Sequence, residues 1–354
     1  MTVSQIKLKN FRNYAQAEVK INSDLVLILG DNAAGKTNFL ESIYFLSALE
    51  SFRAPDQFLV QAGADFFSLE AQSSAAQLEA VVQVRPRLAR QFKLDGVKTS
   101  RSLWRPFHTV LFVPNDLNLF TLGPALRRRF LDEILAQAHQ DYALALVSVQ
   151  HVLKQKSAVL EKLNQGLGEV SELDLWNQQL APLSAIIYRY RHALAEFINR
   201  EFSAIHRRMT NFPAEVKFVY KSRLAGLDAS ATVAELINHQ EAEIRSGQNL
   251  IGPHRDDFSL AKNNQPNIYN SSRGELRRHV LTLQLLQAEY LSAGREQLVI
   301  LLDDVFSELD ELRRSQLIES LTGHQIFITS TEEHHLPKIN DSSQILRVAG
   351  NSIK

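Results

Sequence analysis

A loop near the N-terminus combines two glycines with a lysine and a threonine in an order that suits phosphate binding. It reads Gly30-Asp-Asn-Ala-Ala-Gly-Lys-Thr37, which fits the pattern G-x-x-x-x-G-K-T. Glycines let backbone N–H groups point at phosphate oxygens, Lys36 neutralises β- and γ-phosphate charge, and the Thr37 hydroxyl can ligate Mg²⁺. The apolar run Leu25 to Leu29 before it and the helical pattern after it are the context this motif requires. A chance glycine turn is the alternative.

Two adjacent acids follow a second apolar run, in LVILLDDVFSELD from Leu298 to Asp310. In an open parallel sheet, ligands lie at the carboxyl ends of the strands. We therefore expect Asp303 to hold Mg²⁺ through water and Asp304 to orient or deprotonate an attacking water. An ordinary helix cap or solvated turn is the alternative for these acids. Together the two motifs indicate a nucleoside triphosphatase that uses ATP and Mg²⁺, with Lys36 and Asp304 as catalytic groups and Thr37 and Asp303 as metal ligands. The expected phosphate contacts are Gly30, Asp31, Asn32, Ala33, Ala34, Gly35, Lys36, Thr37 and Asn38.

A third segment, Ser271-Ser-Arg-Gly-Glu275, precedes a helical pattern and lies one helix ahead of the acidic strand. Alone it is a weak signal, because Ser and Gly cap many helices. Its position makes it resemble the signature motif of ABC-type ATPases, and SELD, Ser307 to Asp310, resembles the D-loop that follows. The resemblance implies that one protomer's signature closes over the nucleotide of the other, in a twofold dimer that ATP assembles. The expected contacts are Ser272, Arg273, Gly274 and Glu275.

The elements that must position these residues can be read from the periodicity of apolar side chains. Residues 1–115 show short β-type runs, and from Pro124 apolar residues recur at helical spacing. Two glycines in NQGLGE, residues 164–169, divide that helical region into a hairpin. Strand signals return from about Val216. The predicted fold class is α/β, an ABC-type P-loop ATPase head with an inserted helical arm domain: head residues 1–115, arm residues 116–215 and head residues 216–354.

Composition limits the remaining possibilities. The chain of 354 residues has 39 Lys plus Arg against 39 Asp plus Glu and no Cys, so thiol nucleophiles, disulfides and Cys-based zinc sites are excluded. Any binding to nucleic acid must come from a local basic patch, because the net charge is zero. The longest aliphatic runs are too short to cross a bilayer, and the N-terminus lacks the pattern of a secretory signal. We expect a cytoplasmic protein without a membrane partner.

Further strings along nearly the whole chain resemble the RecF family of bacterial recombination mediators. They include Phe11-Arg-Asn-Tyr14, Ser51-Phe-Arg53, GPALRRRFLDE from Gly123 to Glu133 and Gly252-Pro-His-Arg-Asp256. The resemblance implies ATP-dependent DNA binding at gaps and single-strand/double-strand junctions, recombinase loading, and partners of the RecR and RecO type. It also implies that Arg12, Asn13 and Arg53 lie near the nucleotide, with simple surface exposure as the alternative.

The chain departs from the family pattern at two places and lacks one feature of transporter ATPases. Glu275 stands where the family usually has Gln, and Asn115 where it often has Glu. Glu275 adds negative charge near the trans γ-phosphate, which would weaken dimer closure unless Arg273 or Arg277 offsets it. The switch histidine of transporters is absent, with Thr329 or Ser330 in its place.

Basic residues on the predicted arm helices are candidates for contacts with DNA phosphates, and a solvated helix face is their alternative. The first set is Arg127, Arg128, Arg129, Arg189 and Arg191, followed by Lys154, Lys156, Arg200, Arg207 and Arg208. Asp132 and Glu133 are interpreted as intrahelical partners of the arginines before them. His254 and Arg255 suit either a nucleotide or domain contact or a structural role.

Other ATPase classes fit less well. A transporter subunit would show a two-glycine signature and a histidine switch, an SMC-type protein would need hundreds of heptad residues, and a nuclease of the overcoming-lysogenization-defect type would need a further acidic domain. A pure binding module, which uses ATP as a dimerising ligand with negligible hydrolysis, is the strongest alternative. We expect a slow, DNA-stimulated ATPase.

Overall fold

The computed structural model describes residues 2–104, 106–210, 216–262, 265–266, 271–293, 297–331 and 343–354. The chain divides into two compact units. The first consists of Met1–Leu117, Arg208–Asn211 and Val280–Lys354, and the second of Asn118–Arg207 and Phe212–His279.

A mostly parallel sheet in the first unit contains the predicted buried strands. Its strand order is β15-β14-β3-β13-β12-β8, and only β15 runs antiparallel to its neighbour. Continuous apolar runs form its central strands, as strands covered on both faces require. The strands are β3 (Leu25–Leu29), β8 (Thr109–Phe112), β12 (Val299–Asp303), β13 (Gln325–Ser330), β14 (Ser343–Ala349) and β15 (Ser352–Ile353).

An antiparallel sheet in the same unit has the order β2-β1-β4-β5-β6-β7. Its strands alternate buried and exposed residues, because one face packs on the core and the other meets water. They are β1 (Val3–Phe11), β2 (Tyr14–Lys20), β4 (Phe66–Ser73), β5 (Gln77–Gln83), β6 (Ala89–Leu94) and β7 (Val97–Thr99).

Helix α1 (Lys36–Ala48) shares a hydrophobic core with both sheets. Phe45 and Phe11 each meet Phe67 edge to face, with ring centroids 5.3 and 5.2 Å apart. The buried amide of Gln325 joins β13 to the antiparallel sheet, because it bonds both the N–H and the C=O of Val3. The start of α1 follows β3 and therefore lies beyond the carboxyl end of an interior strand of the parallel sheet.

The second unit is mainly helical and carries a small antiparallel sheet, β11-β10-β9. Its helices are α2 (Pro124–Ala138), α3 (Gln140–Asn164), α5 (Ala229–Asn238), α6 (Gln240–Ser246) and most of α4 (Glu172–Thr210). Its strands are β9 (Lys217–Lys221), β10 (Asp257–Lys262) and β11 (Gln265–Pro266), and α7 (Arg273–Ser292) begins within it. Helix α8 (Glu311–Ser320) belongs to the first unit. Short 3₁₀ helices cover Asp56–Phe58, Arg101–Leu103, Pro114–Asn118, Pro253–Arg255 and Val305–Glu308.

The structure confirms the helical hairpin, whose turn lies between the end of α3 and the start of α4, but it differs from the predicted domain boundaries. Residues 216–279, which the sequence pattern assigned to the head, fall in the second unit. The reason is that β9 and β10 pair with each other rather than with the parallel sheet. Among the described helices, none combines the length and the apolar character that a bilayer span demands.

Candidate nucleotide-binding site

Three neighbouring parallel strands end at the place where the predicted chemistry converges. Asp303 ends β12, Thr329 lies opposite it on β13, and Thr37 occupies the first turn of α1 after β3. Both threonine hydroxyls donate to Oδ1 of Asp303, each at 2.8 Å. Burial raises the pKa of Asp303, while the two hydroxyl bonds oppose the rise. Residues 266 positions apart thus form one polar junction between the phosphate loop and the acid pair.

The glycines of the loop are required by close approach of other groups. Gly35 has φ +116°, and a Cβ there would come within 2.5 Å of the Asn13 side chain. A Cβ on Gly30 would lie 2.4 Å from the carbonyl oxygen of Val348. Between them, residues 31–33 form an exposed tip with Ala33 in the left-handed region. A side chain on either glycine would force the loop out of this shape.

The Lys36 ammonium lies inside the loop, where it donates to the carbonyl oxygens of Gly30 at 2.7 Å and Asp31 at 2.8 Å. Burial lowers its pKa, and the nearby carboxylates of Asp304, Asp303 and Asp31 oppose that effect. The cation therefore stands where phosphate oxygens would replace the two carbonyl acceptors.

Asp304 differs from its buried neighbour because it is exposed and has φ 52°. Its N–H donates to Thr329 Oγ1 at 2.9 Å, and its carbonyl accepts from the Ser307 hydroxyl at 2.7 Å. Thr329 is one of the two residues predicted at the position of the transporter histidine. Its hydroxyl bonds both acids, because it donates to the Asp303 carboxylate and accepts from the Asp304 N–H. The buried Asp303 is suited to bind a metal ion, and the exposed Asp304 is suited to contact water.

The donor set fits Mg²⁺, which prefers oxygen ligands and is usually held by one or two carboxylates together with substrate phosphates. The Asp303 carboxylate and the Thr37 hydroxyl are such oxygens, and they already touch each other. These two residues would hold the ion.

Glu41 organises the residues beside the loop and escaped the sequence analysis. Its fully buried carboxylate receives both Nε and Nη2 of Arg12 at 2.8 Å, Nη2 of Arg53 at 2.6 Å and the Ser51 hydroxyl. Burial alone would raise the pKa of Glu41, but these hydrogen bonds hold it below its ordinary value. The sequence does contain a signal for this role, because Glu41 is an acid within the apolar face of α1, next to the buried Leu40.

The two predicted residues before β2 have different surroundings. Asn13 touches the loop, because its Nδ2 donates to the carbonyl of Ala34 at 3.0 Å and its Oδ1 accepts from Asn38 at 2.7 Å. The guanidinium of Arg12 is instead bound to Glu41 and to the carbonyl of Phe58. Arg12 thus supports α1 in this structure, and a contact between Arg12 and nucleotide stays a prediction.

The signature-like segment lies in the second unit, where Arg273 and Gly274 begin α7. Ser272 and Glu275 form a reciprocal capping box: the Ser272 N–H and hydroxyl reach Glu275 Oε2 at 2.9 and 3.1 Å, and the Glu275 N–H donates to Ser272 Oγ at 3.2 Å. The Ser272 N–H bond contributes most to lowering the pKa of Glu275. In the first unit, the predicted D-loop ends on Asp310, which caps α8.

Three of the arm cations proposed as DNA contacts are buried, so that prediction is wrong for them. Arg127 pairs with Asp257 at 2.6 Å, and Lys156 pairs with Glu243 at 2.6 Å with both side chains fully buried. Arg191 is only 1% exposed. Acids inside the second unit neutralise these charges, because a buried cation must be paired.

The other arm cations have mixed surroundings. Arg128 is half-buried and donates to the Asp256 carbonyl, and Arg129 is exposed but pairs with Glu133, which confirms the intrahelical role of that acid. Asp132 forms its ion pair with Arg191 of another helix, and within α2 its charge also acts on Arg128, four residues before it. Exposed cations without such a buried role remain at Lys154, Arg189, Arg200, Arg207 and Arg208.

The loop containing His254 and Arg255 has structural contacts. Both side chains bond the carbonyl oxygen of Asn249, His254 through Nε2 at 3.0 Å and Arg255 through Nη2 at 2.6 Å. These contacts close the turn that precedes β10 and favour the structural alternative.

Comparison with known proteins gives a consistent result. The family described as RecF/RecN/SMC N terminal domain matches residues 2–354. The protein named DNA replication and repair protein RecF from Ruminiclostridium cellulolyticum is 28% identical, over 100% of this chain and 99% of its own length. Its namesake from Bacillus cereus is 33% identical, over 94% and 92%.

Comparison with solved structures also finds RecF proteins. A recombination mediator protein RecF of the RecFOR pathway, solved as RecF-ATPrS, has a TM-score of 0.91 and 26% identity over 100% of this chain and 97% of its own. The structure described as RecF-ATP has a TM-score of 0.88. An SMC head bound to the C-winged helix domain of ScpA has a TM-score of 0.55 at 15% identity, which concerns the fold alone. The predicted fold class, an ABC-type ATPase head, is confirmed.

Proposed function

Because this chain belongs to the RecF family within the RecF/RecN/SMC class, we propose that it is an ATP-dependent DNA-binding ATPase of recombinational repair and replication restart. ATP assembles a twofold dimer on DNA, and slow hydrolysis, stimulated by DNA, releases it. The observation that carries this proposal is the bond between Thr37 and Asp303, which joins the phosphate loop to the acid pair.

Each residue of the site has a defined task in this scheme. Lys36 exchanges its two carbonyl acceptors for phosphate oxygens, and the loop N–H groups surround the phosphates. Mg²⁺ held by Thr37 and Asp303 neutralises phosphate charge. Asp304 positions water for attack, and the partner protomer supplies its signature segment, Ser272 to Glu275, over the same nucleotide. Such a dimer is a ligand-controlled switch, because only the ATP-bound state contains both halves of the site.

The biological partners follow from the same family. The solved relatives are described as recombination mediators of the RecFOR pathway. We propose that this protein acts at gapped DNA and single-strand/double-strand junctions in the cytoplasm, works with RecR- and RecO-type mediators, and helps load recombinase.

Sedimentation velocity with Mg²⁺ and either ATP or ADP, with and without a gapped duplex, tests the dimer. We expect a monomer with ADP, a dimer with ATP, and a further shift toward dimer when DNA is added. A monomer under all four conditions would remove the trans-signature scheme while leaving the nucleotide site in place.

A nucleotide-gated DNA-binding module with negligible hydrolysis is the second candidate. The observation that favours it is the exposed position of Asp304, because a general base works best in a site from which bulk water is excluded. Aspartate is also one methylene shorter than glutamate. Phosphate release under single-turnover conditions separates the two: no release above the Lys36→Ala background would favour the module.

Glu275→Gln should tighten the ATP-dependent dimer about fivefold, because it removes one negative charge that faces the partner's γ-phosphate in the proposed dimer. The amide oxygen of Gln can still accept from the Ser272 N–H, so the cap of α7 should remain. The dimer dissociation constant with ATP, measured by sedimentation, reports the effect.

Glu319→Gln is the matched control, since it removes the same charge from an exposed position of α8. Equal tightening by both variants would show that net charge, rather than the signature position, is responsible.

A further inference from the structure

The outer edge of the antiparallel sheet concentrates positive charge. Residues 85–101 contain six Arg and Lys against one Asp, which leaves a net charge of +5, whereas the whole chain has a formal net charge of zero. The segment forms the loop after β5, strands β6 and β7 and the tight turn between them at Asp95 and Gly96, both with positive φ. A surface so unlike the average of the chain is suited to an anionic ligand.

Three of the six cations are already neutralised within the first unit. The ion pairs are Arg90 with Asp56 (2.6 Å), Lys93 with Glu79 (2.9 Å) and Arg101 with Glu50 (2.5 Å). The remaining three, Arg85, Arg87 and Lys98, are exposed, and no acid among the residues that the structure describes forms an ion pair with them. We call these three residues the basic edge.

The register of the strands shows why no acid lies opposite Lys98 in the described part of the sheet. Lys98 lies directly opposite Lys93 on β6, and Lys93 lies opposite Glu79 on β5. Glu79 is used by Lys93, so Lys98 faces a like charge across the outermost strand pair. The exposed ammonium of Lys98 is therefore available to an anionic ligand.

The spacing of the basic edge matches an extended polyanion. Strand β6 extends over roughly 17 Å from Ala89 to Leu94 at the rise of a β-strand; Arg87 lies two residues before its start, and Lys98 lies opposite Lys93 near its end. A DNA strand carries one phosphate for each ~3.4 Å of helix axis, so a duplex presents several phosphates over that length. We propose that the basic edge binds the phosphate backbone of duplex DNA without reading its base sequence. The inference rests on the proposed function and names the surface through which DNA is held.

The test uses the full chain with Mg²⁺ and ATP and a fluorescein-labelled 30-base-pair duplex. The variant Arg85→Gln/Arg87→Gln/Lys98→Gln should bind about 100-fold more weakly at 100 mM NaCl, as expected for three lost phosphate contacts. The slope of log affinity against log salt should become shallower by about 2.7, which is 0.9 for each contact. ATP binding and the melting temperature should match wild type, because the replaced side chains are exposed.

The matched control is Lys20→Gln/Lys162→Gln/Lys221→Gln, which removes the same charge from exposed positions that are not predicted to contact DNA. It should change affinity less than threefold. Unchanged DNA affinity in the basic-edge variant would overturn the inference. Equal losses in both variants would also overturn it, since general electrostatics would then suffice. Wild-type protein that fails to bind the duplex with ATP would instead contradict the proposed function itself.

Discussion

Replacing Asp304 by Asn should leave ATP binding within a few-fold of wild type and reduce hydrolysis at least about 100-fold, the usual contribution of a general base. Asn removes the charge but keeps the size, and it tolerates the left-handed backbone that this position adopts. The hydrogen bond to the Thr329 hydroxyl comes from the backbone N–H of residue 304, so it should persist in the variant. Phosphate release in a single turnover measures the change.

Lys36→Ala is the contrasting variant, because it should lose nucleotide affinity by more than about 100-fold. The loop would lose a cation that donates two hydrogen bonds within it. Asp304→Asn with ATP should therefore accumulate as a dimer, whereas Lys36→Ala should sediment as a monomer. An Asp304→Asn protein that hydrolyses ATP at the wild-type rate would show that another group activates the water.

The parallel sheet could be predicted because strands buried on both faces have a distinctive sequence. Two uninterrupted aliphatic runs, Leu25 to Leu29 and Leu298 to Leu302, show this property. Each directly precedes a motif that has a fixed place in such a sheet. Strands β9 and β10 lack that signal, since they alternate like any half-buried strand. Local pattern shows that such a segment is a strand but not which sheet it joins, so residues 216–279 were placed in the wrong unit.

The candidate site likewise has one part that could be predicted from the sequence and one part that could not. The junction of Thr37 and Asp303 could be expected, because both residues follow strands of one parallel sheet. The pairing of Glu41 with Arg12 and Arg53 could not, since three separate segments bring those charges together.

Burial of two arginines did leave a signal. Arg127 lies three and four residues before the buried Phe130 and Leu131, and Arg191 lies four residues after Ile187, so both fall on apolar helical stripes. The basic edge was missed for the opposite reason, because strand geometry and pairing decide which of the six cations in residues 85–101 form ion pairs with described acids.

Arg191→Met should destabilise the second unit by about 3–5 kcal/mol, the typical cost of removing one partner from a buried ion pair. The guanidinium joins four groups: it donates to Asp132 and Asp256 at 2.8 Å, to the Pro253 carbonyl at 2.8 Å and to the Tyr142 hydroxyl at 3.0 Å. Met fills a similar volume but leaves Asp256, itself 4% exposed, without its cation. Urea unfolding followed by circular dichroism, with hydrogen exchange of α2 and α4, measures the loss.

Arg189→Met is the control from the same helix, because Arg189 is exposed and only stacks on Tyr190; it should cost less than about 1 kcal/mol. The pH dependence separates lost charge pairing from lost packing. Burial already raises the pKa of Asp256, and Arg191 opposes the rise, so the variant should raise it further. A carboxyl whose folded pKa exceeds its unfolded value destabilises the fold above that folded pKa, and the penalty disappears as pH falls below the unfolded value. The deficit of Arg191→Met should therefore shrink as pH falls toward the unfolded pKa of Asp, about 3.9, whereas a deficit that stays constant would assign the effect to packing alone.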